Sequence, residues 1–195
     1  MKLFFSALIL VLLSSCQEDP KVRAEQQEKE AQKSEAIFNR ISSGWNFNSV
    51  PSNEASRDLT KYWAEWRVFL NELGQKPKSS ISAFQQKAKT LSKRALELNN
   101  NIPVKYNLPE VKSRIAVITT KVNAINLYIH LGQIPDKKIG QLVQEINGEL
   151  ASMNAQLEEI KRRGEIKMED GEADMIRMLD TTRAIPTDPN PKNIK

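Results

Sequence analysis

Cysteine occurs once in this chain, at Cys16, and histidine once, at His130. A single cysteine rules out an intramolecular disulfide in any compartment. A single histidine rules out, within one chain, a zinc-protease motif or a two-histidine metal site. No serine is followed three residues later by lysine, and neither a P-loop nor a Gly-x-Gly-x-x-Gly run is present. We therefore expect no catalytic residues, no cofactor and no metal site, and read the protein as a non-enzyme. Glycine is scarce too, at seven residues, and no hairpin-turn dipeptide lies between alternating strands, which argues against strand-rich folds. The one continuous apolar run, Leu3 to Leu13, is too short for a bilayer core, which needs roughly 20 residues.

What the chain has in quantity is heptad pattern. From Leu108 the apolar positions are Leu108, Val111, Ile115, Ile118, Val122, Ile125 and Ile129, in steps of three and four. A second series runs Ile139, Val143, Ile146, Leu150, Met153, Leu157 and Ile160. Each series draws one stripe along a helix and asks for another helix to cover it. Gly132, Pro135 and Asp136 separate them as a stop, a rigid residue and a plausible cap. Two more stripes precede this hairpin. Leu59, Trp63, Trp66, Leu70 and Leu73, widened by Tyr62 and Phe69, predict one helix over Glu54 to Leu73. Ile81, Phe84, Ala88, Leu91, Ala95 and Leu98 predict the next, capped by Ser79 or Ser80. Four such segments with short connections predict an all-α fold, an antiparallel four-helix bundle. A stripe can also be covered by a second copy, so the oligomeric state stays open.

The bundle is expected over residues 37–163. Before it, Gln17 to Glu35 has helix-forming composition but no apolar face, and reads as a polar tether, part helix and part coil, within 16–36. Ile37, Phe38 and Ile41 begin the packed region in a short helix stopped by Ser42-Ser43-Gly44, and Trp45 to Asn53 is a loop with Trp45 and Phe47 tucked inward. Gly140 and Gly148 lie inside the last long helix, as surface glycines, as marks of a close neighbour or as a kink. Residues 164–195 read as a short helix, Asp174 to Arg183, that lays Met175, Met178 and Leu179 on the bundle, followed by a proline-rich tail without order.

The amino terminus carries an address. Lys2 supplies a positive start, Leu3 to Leu13 an apolar run, and Leu13-Ser14-Ser15-Cys16 ends it. That order resembles the signal peptide and lipobox of bacterial lipoprotein precursors, over residues 1–16 only. The resemblance implies removal of residues 1–15, diacylation of Cys16 and often acylation of its new amino group. Gln17 replaces the aspartate that resembles an inner-membrane retention signal, and Gln17-Glu18-Asp19 resembles the acidic tags that bring some lipoproteins to the cell surface. We therefore expect a protein lipid-anchored at the outer membrane, on its periplasmic face or on the cell surface. The body of the chain carries no further family motif.

Charge supplies the candidate binding site. The net charge is +5, but Lys76 to Lys121 holds ten basic residues against Glu97 and Glu110 alone, a net +8 between acidic ends. Within it Lys87, Lys89, Lys93 and Arg94 border the apolar stripe of the third helix, as a basic face for lipid phosphates, an acidic glycan or an acidic envelope protein. An exported protein has no use for that face on nucleic acid. The expected function is thus a lipid-anchored envelope module for binding or adapting a partner. The alternative is a bundle carrying a small ligand or a metal, with two candidate sites: the Trp63–Trp66 helix, or Met168, Met175 and Met178 as thioether ligands for Cu(I).

Overall fold

The computed structural model describes residues 20–166 and 171–179, all helix and connecting loop, with no strand among them. The helices are α1 (Pro20–Gly44), α2 (Glu54–Tyr62), α3 (Ala64–Gly74), α4 (Ile81–Glu97), α5 (Pro109–Ile129), α6 (Asp136–Glu165) and α7 (Glu172–Leu179), with a 3-10 turn at Val104–Tyr106. The fold is the expected antiparallel four-helix bundle. Its members are α2 and α3 as one broken arm, then α4, α5 and α6.

The hairpin of α5 and α6 forms the spine. Val111, Ile115, Ile118, Val122, Ile125 and Ile129 of the first stripe are all buried, as are all seven residues of the second. Leu108 is half-buried at the entry and Leu142 joins the core beside Val143. At about 1.5–3 kcal/mol for each large aliphatic side chain removed from water, these two rows are the main reason the hairpin closes. On α4, Phe84, Ala88, Leu91 and Ala95 are buried and the helix packs chiefly on α5, and Ser80 caps it by accepting from the Ala83 N–H at 3.2 Å. Polar contacts set the register of that pair. Gln85 donates to the Ile129 carbonyl at the last turn of α5, and Ser92 donates to Asn123 at 2.6 Å.

The segment expected as one helix over Glu54 to Leu73 is two. Trp63 is extended, at φ −114° and ψ 97°, and no proline or glycine is present to explain the break. The indole explains it better. It is fully buried, stacks on Trp66 with ring centroids 5.6 Å apart, and its Nε1–H donates to the Asn100 carbonyl at 3.1 Å. Arg67 covers the break from outside, donating to the Thr60 carbonyl at 2.9 Å. The stripe itself survives the break, since Leu59, Trp63, Trp66, Leu70 and Leu73 are all buried, but its widening holds only in part. Tyr62, expected on the inner face, is 78% exposed, whereas Phe69 is buried as expected. α2 consequently packs on α6 while α3 packs on α4.

The space this leaves between α3 and α6 is filled from the amino-terminal side. α1 is one continuous helix of 25 residues, so the tether and the short packed helix expected as separate pieces are joined. Every residue from Pro20 to Glu35 is exposed, and burial begins at Ala36 and is complete at Ile41. The last turns of α1 lie on the start of α6, where Gly44 and Gly140 meet. A Cβ on Gly44 would sit 3.5 Å from the Gly140 Cα, so Gly140 marks a close neighbour, whereas Gly148 is exposed and faces open space. Arg40 of α1 bonds to Asp136 at the first turn of α6.

This pair has a pH signature. The Arg40 guanidinium, aided by the backbone N–H groups at the start of α6, holds the Asp136 carboxyl below the usual range against a smaller opposing effect of burial. A carboxyl with a lowered folded pKa adds stability above its unfolded pKa and loses it as pH falls through the folded one. Asp136→Asn is therefore expected to lower stability at neutral pH by less than about 1 kcal/mol, because Arg40 is half exposed. The difference from wild type should begin to shrink as pH falls past about 4, the ordinary carboxyl value, and be gone only below the lowered folded value; urea titrations across pH check both statements.

Candidate functional site

The four basic residues singled out on the third helix do not form one open face. Lys87 turns inward to α3: its Nζ is 2.6 Å from Glu72 Oε1 and 3.3 Å from Gln75 Oε1, with only 10% of the side chain exposed. Arg94 bonds to Glu97 at 2.8 Å on its own helix, and the hydrogen bond to Glu97 holds its guanidinium more firmly protonated than usual. Lys89 and Lys93 are the exposed pair. They stand four residues apart, hence one above the other on the same helix surface, with no acidic group among the described residues in ion-pair reach. Leu96, 58% exposed, continues that surface one turn on. The basic face thus contracts to Lys89 and Lys93, and Lys87 and Arg94 are internal fasteners.

The loop Trp45 to Asn53, read from the sequence with Trp45 and Phe47 tucked inward, is a strap that crosses from α1 to α2 over the gap between α3 and α6; what the sequence missed is how it is anchored. Trp45 is buried, packed edge-on against Phe84 at 5.0 Å and Phe47 at 5.4 Å. Two asparagines tie the strap down. Asn147 of α6 accepts from the Asn48 N–H at 2.8 Å and donates to the Asn46 carbonyl at 2.9 Å, as a strand partner would. Asn53 donates to the Asn154 carbonyl at 2.8 Å, and its oxygen caps α2 through the Ser56 N–H. Between these anchors Val50 is 79% exposed. Ser49 passes so near α3 that a Cβ on Gly74 would lie 2.9 Å from its hydroxyl. Asn-rich loops are readable as turns, but nothing local says that Asn147 and Asn154 lie beneath this one, a hundred residues away.

The other candidates are placed as follows. Trp63 and Trp66 are core residues rather than the wall of an open pocket. His130 is exposed at the end of α5, its Nδ1 2.7 Å from the Asn126 carbonyl. Met175, Met178 and Leu179 lie on α7 (Glu172–Leu179) but are 60%, 86% and 74% exposed, so they are not laid on the bundle as expected. Cys16 and Met168 fall outside the described residues. Among the described residues no cluster of three or more His, Cys, Asp or Glu side chains is positioned to hold a metal ion, and no helix is long and apolar enough to cross a membrane. No protein-family model matches the chain, and neither a curated protein nor a solved structure matches it.

Proposed function

We infer that this protein is a non-enzymatic, lipid-anchored cell-envelope protein whose helical bundle is a module for binding or adapting an acidic partner. The observation that carries the reading is the Lys89–Lys93 pair. Like charges at this spacing cost an isolated helix about 0.2–0.5 kcal/mol, and the chain neutralises Lys87, Arg94 and Lys121 nearby but not these two. An acidic envelope protein or acidic glycan would supply the missing counter-charge.

The lipobox and the tether support the same reading. A lipid at Cys16 holds the chain at the outer membrane, and the exposed part of α1 from Pro20 to Glu35 is a spacer of about 24 Å at 1.5 Å per residue. Its alternating charges and lack of an apolar face suit a helix surrounded by water, and its last turns fix the spacer rigidly to α6. A bundle carried this way reaches past the headgroups to whatever it binds.

The test reverses the exposed pair alone. Reversing Lys87 as well would set a carboxylate against Glu72 in a nearly buried site and confound binding with folding. With Lys89→Glu and Lys93→Glu together, the melting temperature should not move, since exposed substitutions of this kind stay within about 0.5 kcal/mol. In-cell crosslinking should then lose an envelope component that wild type retains, while Lys76→Glu with Lys78→Glu keeps it. Retention by the Lys89/Lys93 variant would overturn the reading. The ligand-carrying alternative keeps one observation in its favour, the space beneath the strap.

A further inference from the structure

α5 carries two heptad rows, and the bundle covers one of them. The inner row, Val111 to Ile129, is buried. The outer row runs Ser113, Val117, Thr120, Ala124, Leu127 and, just past the helix end, Leu131, in the same steps of four and three. All of it is exposed except half-buried Ala124, and Leu127 is 61% exposed. None of the six is charged, and from Ile115 to Ile129 the helix carries one charge, Lys121. A surface helix ordinarily turns charged and polar residues outward, whereas a helix without them is covered on that side.

The two flanks of this row bear opposite charge. On the α4 side stand Lys89 and Lys93, without a counter-charge among the described residues. On the α6 side stand Glu145 and Glu149, which share one cation, at 2.7 and 3.9 Å from Lys121 Nζ. The two pairs are level, because Ser92 is bonded to Asn123 and Lys121 to Glu145. Both α4 and α6 run antiparallel to α5, so Lys89 and Lys93 descend in the same order as Glu145 and Glu149. A second copy laid face to face, α5 parallel to α5, therefore sets the lysine pair of each against the carboxylate pair of the other. The antiparallel arrangement would set lysines on lysines. Parallel packing also sends both α1 spacers out of one end, since Arg40 and Gly44 follow α6 in the order of Asp136 and Gly140. Two lipids at Cys16 then reach the same membrane. Three helices at about 8–10 Å spacing, over the roughly 30 Å of α5, give this face about the 800 Å² that one side of a standard interface buries.

We propose that the acidic partner of the Lys89–Lys93 face is a second copy of this chain, in a parallel two-fold dimer seamed by the outer row of α5. The same patch serves both copies, as a two-fold interface requires. Val117 meets Val117 and Leu127 meets Leu127 across the axis, and the crossed lysine–glutamate pairs close the flanks. The proposal names the partner in the binding-module reading and rests on that reading of the two lysines.

The test uses the full chain in its own membrane, with single cysteines on the outer row and an added oxidant. Disulfides need Cα atoms within about 7 Å. In the parallel dimer each row position lies beside its own counterpart, so Val117→Cys and Leu127→Cys should each give a covalent dimer on a non-reducing gel. In an antiparallel dimer position 117 would link to 127 instead. Ala151→Cys, exposed beside the strap, should stay monomeric, and wild type, whose one cysteine is Cys16, sets the background. With Leu127→Cys in place, Lys89→Glu and Lys93→Glu together should slow linking at least about tenfold. Adding Glu145→Lys and Glu149→Lys to the same chain should restore it. The dimer is overturned by silence at both row positions, by equal linking at Ala151→Cys, by linking only between positions 117 and 127, or by linking that ignores the charge swaps. An unlinked row together with loss of a different envelope component in the Lys89/Lys93 variant would sink the dimer and leave the binding-module reading standing.

Discussion

Replacing Trp63 with alanine is expected to cost about 3–5 kcal/mol of folding stability, the range for removing a large buried aromatic side chain. Three losses coincide there. A fully buried indole leaves a cavity at the junction of α2 and α3, Trp66 loses its stacking partner, and the Asn100 carbonyl loses its donor. Against a total stability of about 5–15 kcal/mol for a domain, such a loss leaves the bundle marginal or unfolded. Trp63→Phe separates the contributions in part, since it keeps an aromatic ring in the site but loses the N–H together with the second ring of the indole. It should fold and cost about 1–2 kcal/mol, because the carbonyl it abandons belongs to exposed Asn100 and can take water. Urea unfolding of both variants checks the pair. Near-equal, small losses would mean that the break at Trp63 is set by the local chain and not by the indole.

Replacing Cys16 with alanine should move the protein from the membrane to the soluble fraction almost completely. Each methylene of a lipid chain buried in the bilayer contributes about 0.8 kcal/mol; one chain gives only reversible binding, while two or three hold effectively for good. Nothing else among the described residues replaces that anchor, since no helix there is long and apolar enough to span. The bundle itself should be unaffected, its core beginning at Ile41. Fractionation of cells expressing wild type and Cys16→Ala, with circular dichroism on both purified proteins, is the measurement. A variant still held in the membrane fraction would refute acylation of Cys16 as the anchor. Protease shaving of intact against lysed cells would then assign the leaflet: digestion before lysis places the bundle at the surface, protection until lysis in the periplasm.

The stripes of α5 and α6 were legible because each helix buries one face along its whole length, so the period survives from first turn to last. The same holds for α4. It fails at Trp63, where the helix breaks without a proline or glycine to announce it. The break answers to Asn100, in a turn 37 residues on, which Asn101 closes with a positive φ of 51°. It fails for Lys87 in the same way. By spacing, Lys87 and Arg94 are equivalent heptad mates, but Glu72 and Gln75 meet only the first, across the connection between α3 and α4. The tether was half legible. Composition told of a solvated segment, and the packing of Ile37, Phe38 and Ile41 makes it one helix, since a docked carboxyl end removes the cost of nucleating the rest.

Residue type and local spacing were enough to predict the helical class and its four stripes, and to raise the expectation of a lipid anchor at Cys16. Tertiary structure decided which lysines remain open, where the second arm bends, and that Asn147 and Asn154 hold the strap between α1 and α2. These depend on groups distant in the chain sharing the same few ångströms, and hydrogen bonds and ion pairs act only at that range.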